Sequence, residues 1–115
     1  MKDKLLLVTT NDDHRYLLNM LLTESGYLVD APLNIEDSSS LFEKYEYKKV
    51  IVDYDSRSYK QILFCRYLEL HHKFNKSIVM QALDDDDLVS KVFDQGGDVI
   101  IKPYNIEDLL LAIRR

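Results

Sequence analysis

Five short apolar runs constrain what this chain can fold into. They cover residues 5–8, 27–31, 50–53, 78–80 and 99–101, and the third run ends in an acid, Asp53. None of them alternates regularly between apolar and polar residues, as the strands of a half-exposed sheet do. Short apolar runs without this alternation are typical of strands buried on both faces. Such strands belong to parallel sheets covered by helices.

Apolar residues at helical spacing separate these runs. The pattern predicts helices after residue 11, over 36–47, over 59–73, from 84 to the glycine pair at 96–97, and after Asn105, although three serines oppose the second of them. The predicted core-facing residues are Leu17, Leu18, Leu21 and Leu22, then Ile62, Phe64, Cys65 and Leu68, then Leu88, Val89, Val92 and Phe93, and last Ile106, Leu109, Leu110 and Ile113.

Alternating strands and helices predict an α/β fold. Because parallel strands joined by right-handed crossovers have helices on both faces, we expect a three-layer α/β/α sandwich with a five-stranded sheet in the order 2-1-3-4-5. The 115 residues suffice for one domain with its own core, covering residues 1–115.

Composition excludes several classes of function. The 15 basic and 20 acidic residues give a net charge of -5 with no basic stripe, so we expect no direct contact with nucleic acid. No apolar segment is long enough for a signal peptide or a membrane span. The lone Cys65 excludes an intrachain disulfide and fits a reducing cytoplasm.

Polar residues stand at the carboxyl ends of four predicted strands. Thr9 and Thr10 follow the first strand, Asp53 the third, Gln81 the fourth and Lys102 the fifth. In the predicted strand order these ends meet at one edge of the sheet, with Asp53 in the middle, and ligands gather at that edge in open α/β sheets. We therefore expect the functional site there.

In the order and spacing of these residues, the chain resembles the receiver domains of two-component response regulators. The resemblance rests on the strand ending at Asp53, the strand ending at Gln81, the Ile100-Ile101-Lys102-Pro103 run, and the spacing of Arg15, Leu18 and Gly26-Tyr27. It implies that Asp53 is the position that accepts a phosphoryl group from a histidine kinase, that Lys102 is its charge partner, and that the peptide bond before Pro103 is cis.

The chain departs from the receiver pattern where a metal would bind. The acidic pair that helps to hold a divalent cation in that family falls on Thr9 and Thr10, which are poor ligands for a hard cation. We therefore expect phosphorylation to be weak or absent and Mg²⁺ not to be a regular cofactor. Asn11, Asp12 and Asp55 lie close enough in sequence to supply substitute oxygens, and a weak metal site on Asp53, Asp55 and Asp12 is the one that these residues still allow.

Other positions of the pattern also differ. Gln81 stands where the family has a Ser or Thr, Val99 at the aromatic switch position, and Arg57 and Gln61 at the usual Pro and Gly of the loop after Asp53. Without the acidic pair, Asp53 and Lys102 alone balance the charge of the site. We expect an ion pair between them, with the amide of Gln81 and the hydroxyls of Thr9 and Thr10 as hydrogen-bonding neighbours.

The sequence around Asp53 allows two interpretations other than a receiver site. The sequence from Val50 to Asp55 also resembles the nucleophile motif of haloacid-dehalogenase-type phosphatases, in which the second acid, here Asp55, is a general acid. That motif normally lies on the first strand and is accompanied by a cap, for which the chain has no room. A dimerisation module that makes no use of Asp53 is the remaining alternative.

Signalling through protein contacts is the function that the resemblance favours, rather than conventional enzyme catalysis. The implied partners are a histidine kinase or another signalling protein, and a second copy bound through the last two helices and the fifth strand. The run from Asp84 to Asp87 is explained by the dipole of the helix that it opens, and His14, His71 and His72 are interpreted as surface residues rather than metal ligands. An effector domain beyond Arg115 is compatible with where the last helix ends.

Overall fold

Strands and helices alternate along the chain. The computed structural model describes residues 2–81 and 85–115, with the elements β1 (Lys4–Thr9), α1 (Asp12–Glu24), β2 (Leu28–Asp30), α2 (Asp37–Lys44), β3 (Lys49–Asp53), α3 (Tyr59–Leu70), β4 (Ser77–Gln81), α4 (Asp86–Asp94), β5 (Asp98–Ile101) and α5 (Ile106–Arg114). A 3₁₀ turn at Phe74–Lys76 precedes β4. Within the described ranges no helix is long and apolar enough to cross a membrane.

The strands form one parallel sheet in the order β2-β1-β3-β4-β5. Helices cover both of its faces: α1 and α5 pack on one face through residues such as Leu22 and Ile113, and α3 and α4 pack on the other through Leu68 and Val92. The predicted α/β/α fold class and strand order are confirmed.

Strand β1 shows why the apolar runs do not alternate. Successive side chains on a strand point to opposite faces of the sheet. Leu6 and Val8 pack into the core on the α3–α4 side, whereas Leu5 and Leu7 pack into the core on the α1–α5 side. Because both faces of the strand are covered, every position of the run has to be apolar.

A close approach of two backbone segments explains the glycine pair that ends α4. A Cβ on Gly97 would lie 2.2 Å from the carbonyl oxygen of Phe74 and 2.7 Å from Cγ1 of Val92. Its neighbour Gly96 adopts a φ of 86°, a left-handed conformation that glycine takes without strain. The pair therefore lets the chain turn from α4 into β5 against the 3₁₀ segment.

Several predicted helices differ in detail from those observed. Phe93, predicted to face the core, is 57% exposed, because Leu88 and Val92 already form the buried stripe of α4 and the next residue is rotated by about 100°. Leu17 of α1 is exposed for the same reason. Helix α3 ends at Leu70 rather than at residue 73, and His72 adopts a φ of 53° in the turn that follows.

Helix α2 is shorter than predicted and covers Asp37–Lys44.

The predicted boundaries around the end of β4 are described only in part. Ala82, predicted to end the fourth strand, and Asp84, predicted to open the fourth helix, lie outside the described residues. The described part of that helix begins with Asp85 as its cap, whose side chain accepts a hydrogen bond from the N–H of Leu88.

Candidate functional site

Asp53 is the last residue of β3 and lies between two neighbouring strands. Its side chain is only 4% exposed, and its register partners are Thr9 on β1 and Met80 on β4. The hydroxyl of Thr9, itself fully buried, donates a hydrogen bond to Oδ2 of Asp53 over 2.7 Å. The parallel register therefore supplies the first donor to this carboxylate.

Lys102, directly after β5, supplies the second donor. Its Nζ lies 2.6 Å from Oδ1 of Asp53 and also donates to the carbonyl oxygen of Tyr54 over 3.3 Å. The backbone N–H of Lys102 donates to the carbonyl oxygen of Gln81, and the peptide bond to Pro103 is cis. The structure thus contains the ion pair expected from the charge balance of the site.

His14 is the third group on the carboxylate, and the sequence analysis did not place it there. Its Nδ1 lies 2.8 Å from Oδ2 of Asp53. Asn11 caps α1 by accepting a hydrogen bond from the N–H of His14, so His14 sits in the first turn of the helix. Because helical side chains tilt towards the N-terminus, a long side chain in this turn can reach back to the sheet edge, which is the signal that the sequence offered.

Hydrogen bonding decides the protonation state of Asp53. Burial alone would raise the pKa of this carboxyl, but hydrogen bonds from Lys102, Thr9 and His14 outweigh burial and hold the pKa below its ordinary value. Asp53 is therefore ionised at neutral pH, and a carboxylate in this state only accepts hydrogen bonds.

Gln61 fixes the loop that follows Asp53. This side chain is fully buried, its Nε2 donates to the carbonyl oxygen of Asp53 over 2.8 Å, and its Oε1 accepts from the N–H of Asp55 over 2.6 Å. The departure from the usual glycine at this position therefore supplies two hydrogen bonds to the loop backbone. The sequence identified the departure but not its consequence.

Gln81 and Thr10 do not occupy the places expected of them. We expected the Gln81 amide to hydrogen-bond to the site. Among the described residues, the buried amide of Gln81 has no hydrogen-bond partner. Strand alternation explains the difference, because it directs Gln81 to the same face as Val79, whereas Asp53 shares the face of Ile51. Thr10 is exposed and lines the cavity at the site, and Thr9 makes the bond to Asp53 instead.

The donor set does not fit a hard divalent cation. Asp12 is exposed and paired with Arg15, and Asp55 is paired with Arg57, whose hydrogen bond is the largest cause that lowers the Asp55 pKa. The remaining carboxylate, Asp53, already accepts hydrogen bonds from three groups. Across residues 2–81 and 85–115 no group of three or more His, Cys, Asp and Glu side chains could hold a metal ion.

An open cavity of about 450 Å³ leads to Asp53. It is lined by Thr10, Asn11, His14, Arg57 and Lys102, together with residues of the loop after Asp53. Two acids and two permanent cations meet in it, so the cavity has no large net charge. It has room for a group of the size of a phosphate or a side chain of another protein.

Comparisons with known proteins point to one family of signalling domains. No protein-family model matches the chain. The response regulator ArlR of Staphylococcus aureus is 26% identical to it over 111 residues, which is 96% of this chain and 51% of ArlR. The chain therefore spans about half the length of the curated relatives that it matches.

Solved structures show the same fold. A response regulator receiver domain protein from Clostridium thermocellum superposes with a TM-score of 0.82 at 18% identity, covering 97% of this chain and 91% of the other. The beryllofluoride-activated NtrC4 receiver domain dimer superposes with a TM-score of 0.77 at 19% identity, covering 96% and 93%. The chain has the fold of a receiver domain. Its relatives carry the names of response regulators rather than phosphatases, so the phosphatase alternative is not favoured.

Proposed function

We propose that this receiver domain signals through protein contacts and that its Asp53 is phosphorylated weakly or not at all. The observation that supports the proposal is that Thr9, His14 and Lys102 all hydrogen-bond to the Asp53 carboxylate at 2.6–2.8 Å. These bonds engage three of the roughly four lone-pair sites of the carboxylate, and only 4% of the residue is exposed. Little of the nucleophile is therefore accessible to a phosphorus atom.

Charge gives the second reason. Attack of a carboxylate on a phosphoryl group brings two negative groups together, and phosphoryl-transfer sites oppose this repulsion with a divalent cation. In this domain two threonines stand where the family has its acidic pair, so the repulsion is opposed by side-chain cations such as Lys102 rather than by a divalent cation. If Asp53 does accept phosphate, Lys102 is the charge partner, and Thr9, Thr10 and Gln81 are its polar neighbours.

The surface formed by α4, β5 and α5 supports a role in binding other proteins. Phe93, Ile101 and Leu111, one from each element, expose 57%, 38% and 56% of their surface. An exposed apolar side chain on each of three elements that follow one another in the chain is a candidate contact for another protein. We propose that this surface binds a second copy of the domain or a signalling partner such as a histidine kinase, in the cytoplasm.

Intact mass measures phosphorylation of Asp53 directly. The wild type and Asp53→Ala are incubated with acetyl phosphate and Mg²⁺, and amide shifts are followed while Mg²⁺ is titrated. We expect little or no phosphate on either protein and no localised shifts. Stoichiometric phosphate on the wild type that is absent from Asp53→Ala would overturn the proposal.

Sedimentation tests the proposed contact surface. We expect Phe93→Asp and Leu111→Asp to shift any self-association towards monomer or to weaken binding of a partner protein. Leu33→Asp in the loop after β2 is the matched control, since Leu33 is 78% exposed and follows the strand at the opposite edge of the sheet from β5. Equal effects of all three changes, or no effect of any, would exclude this surface.

A further inference from the structure

We propose that His14, rather than Asp53, is the phosphoryl-accepting residue of this site, with Asp53 as the residue that positions it. The inference rests on the proposed function in one respect, that Asp53 is held by hydrogen bonds instead of acting as the nucleophile. It adds a modification site and a class of donor, a phosphorus–nitrogen compound that transfers its phosphoryl group to imidazole.

The contact with Asp53 fixes which nitrogen of His14 can react. Asp53 is ionised and only accepts hydrogen bonds, so at 2.8 Å the Nδ1 of His14 must carry the proton. In the neutral ring the lone pair is then on Nε2. A buried carboxylate that holds an imidazole in one tautomer is the arrangement that prepares histidine for proton transfer or nucleophilic attack in enzymes.

Access also favours His14 over Asp53. Half of the His14 side chain is exposed, against 4% for Asp53. Within the described residues Nε2 of His14 makes no hydrogen bond, and the ring lines the cavity at the site. The accessible lone pair of this site therefore belongs to Nε2.

Donors for a bound phosphoryl group line the same cavity. Lys102 uses two of its three N–H donors, on Asp53 and on the carbonyl of Tyr54. The side chain of Arg57 holds Asp55 through Nε and one terminal nitrogen, which leaves further N–H groups of its guanidinium unused. Both cations keep hydrogen-bonding capacity for phosphoryl oxygens without giving up their carboxylate partners.

The transfer step is balanced without a metal ion. The Nε2 lone pair attacks the phosphorus of phosphoramidate, the phosphorus–nitrogen bond breaks, and ammonia leaves with the bonding electrons and the three protons that its nitrogen already carries. The product ring bears phosphate on Nε2 and keeps its proton on Nδ1. That ring is cationic, and its proton is the one that Asp53 accepts, so the carboxylate stabilises the product.

Phosphoramidate in the presence of a chelator tests the proposal. The wild type, His14→Gln, His71→Gln and His72→Gln are incubated at neutral pH, where the nitrogen of phosphoramidate is protonated, and intact mass is read before and after exposure to acid or to alkali. We expect one phosphoryl group on the wild type and on the two α3-end controls and none on His14→Gln. The group should survive alkali, which hydrolyses acyl phosphates, and should be lost in acid, which cleaves phosphorus–nitrogen bonds.

A second variant separates positioning from chemistry. Asp53→Asn can still contact Nδ1, but its amide can donate as well as accept, so it no longer enforces one tautomer. We expect the rate of phosphorylation to fall by about tenfold or more with the product still acid-labile, and Asp53→Glu to recover part of the rate. Circular dichroism of each variant verifies that it is folded.

The contrary results are distinct. No incorporation by folded wild type, or equal incorporation by His14→Gln, overturns the assignment of His14. An alkali-labile phosphate that is lost in Asp53→Asn and retained in His14→Gln overturns both this inference and the proposed function. If acetyl phosphate with Mg²⁺ leaves Asp53 unmodified while phosphoramidate also fails, only the inference about His14 falls.

Discussion

Removal of the Lys102 ammonium gives the most direct measure of how Asp53 is held. In Lys102→Met the carboxylate, 4% exposed, loses its lysine partner but keeps its hydrogen bonds from Thr9 and His14. A fully buried pair broken on one side costs roughly 3–5 kcal/mol, and a hydrogen bond to a charged group contributes about 1.5–3 kcal/mol. Because Lys102 is 28% exposed and two donors remain, we expect the variant to lose about 2–3 kcal/mol at neutral pH.

Thermal and urea unfolding measure this loss. For a domain of this size about 2–3 kcal/mol corresponds to a fall in Tm of roughly 8–12 °C. Lys48→Met is the control, since Lys48 forms an exposed ion pair with Asp3 and its removal should cost no more than about 1 kcal/mol.

The pH dependence of the free energy of unfolding tests the same argument in a second way. In the wild type the pKa of Asp53 is held below its ordinary value of 3.8, so its contribution to stability is fully present above that value and is lost as pH falls through the folded-state pKa. In Lys102→Met the pKa of Asp53 rises, since burial is then opposed by fewer donors. The stability difference between the two proteins should therefore shrink as pH falls towards 3.8. A loss no larger than that of Lys48→Met, or one independent of pH, refutes the argument that Lys102 neutralises a buried carboxylate.

Three further changes test other parts of the structure by urea unfolding. Gln61→Leu leaves the carbonyl of Asp53 and the N–H of Asp55 without their side-chain partner and should cost about 1–3 kcal/mol, with faster amide exchange at Asp55; an unchanged midpoint contradicts this role. Gly97→Ala places a Cβ 2.2 Å from the backbone oxygen of Phe74 and should cost about 2 kcal/mol or more; a neutral result means that the 3₁₀ segment moves freely. Ser38→Ala removes a buried hydroxyl without a partner in the described structure and should stabilise by about 0.5–1 kcal/mol, more than Ser40→Ala on the exposed side of α2; equal gains would show that only helix propensity acts.

The sequence predicted the fold because the deciding signals are local. Each strand is a contiguous apolar run, and the caps Asn11 and Asn105 stand directly before their helices. The strand order followed from the general geometry of parallel sheets, and with it the position of Asp53 between β1 and β4. The Asp53–Lys102 contact was expected for a further physical reason, because without the acidic pair these two charges alone balance the site.

The positions of the side chains that reach the site from a helix or from a loop could not be predicted from the sequence. His14 was interpreted as a surface residue, since nothing in its own helix shows that it tilts back onto a carboxylate 39 positions away. Gln61 was identified as a departure from the receiver pattern, but the two backbone groups that it joins are set by the path of the loop. Gln81 was expected at the site because of its position in the chain, whereas strand alternation directs its side chain to the other face.

The same bonds that stabilise Asp53 set its reactivity. Thr9, His14 and Lys102 come from three separate parts of the chain and each directs a proton at the carboxylate, so little of its charge and surface is left for a metal ion or a phosphorus atom. If the carboxylate is structural, changes that free it should lower stability without creating phosphorylation of Asp53, because the acidic pair and its cation would still be missing. His14 escapes this constraint, since its bond to Asp53 uses Nδ1 and leaves Nε2 available.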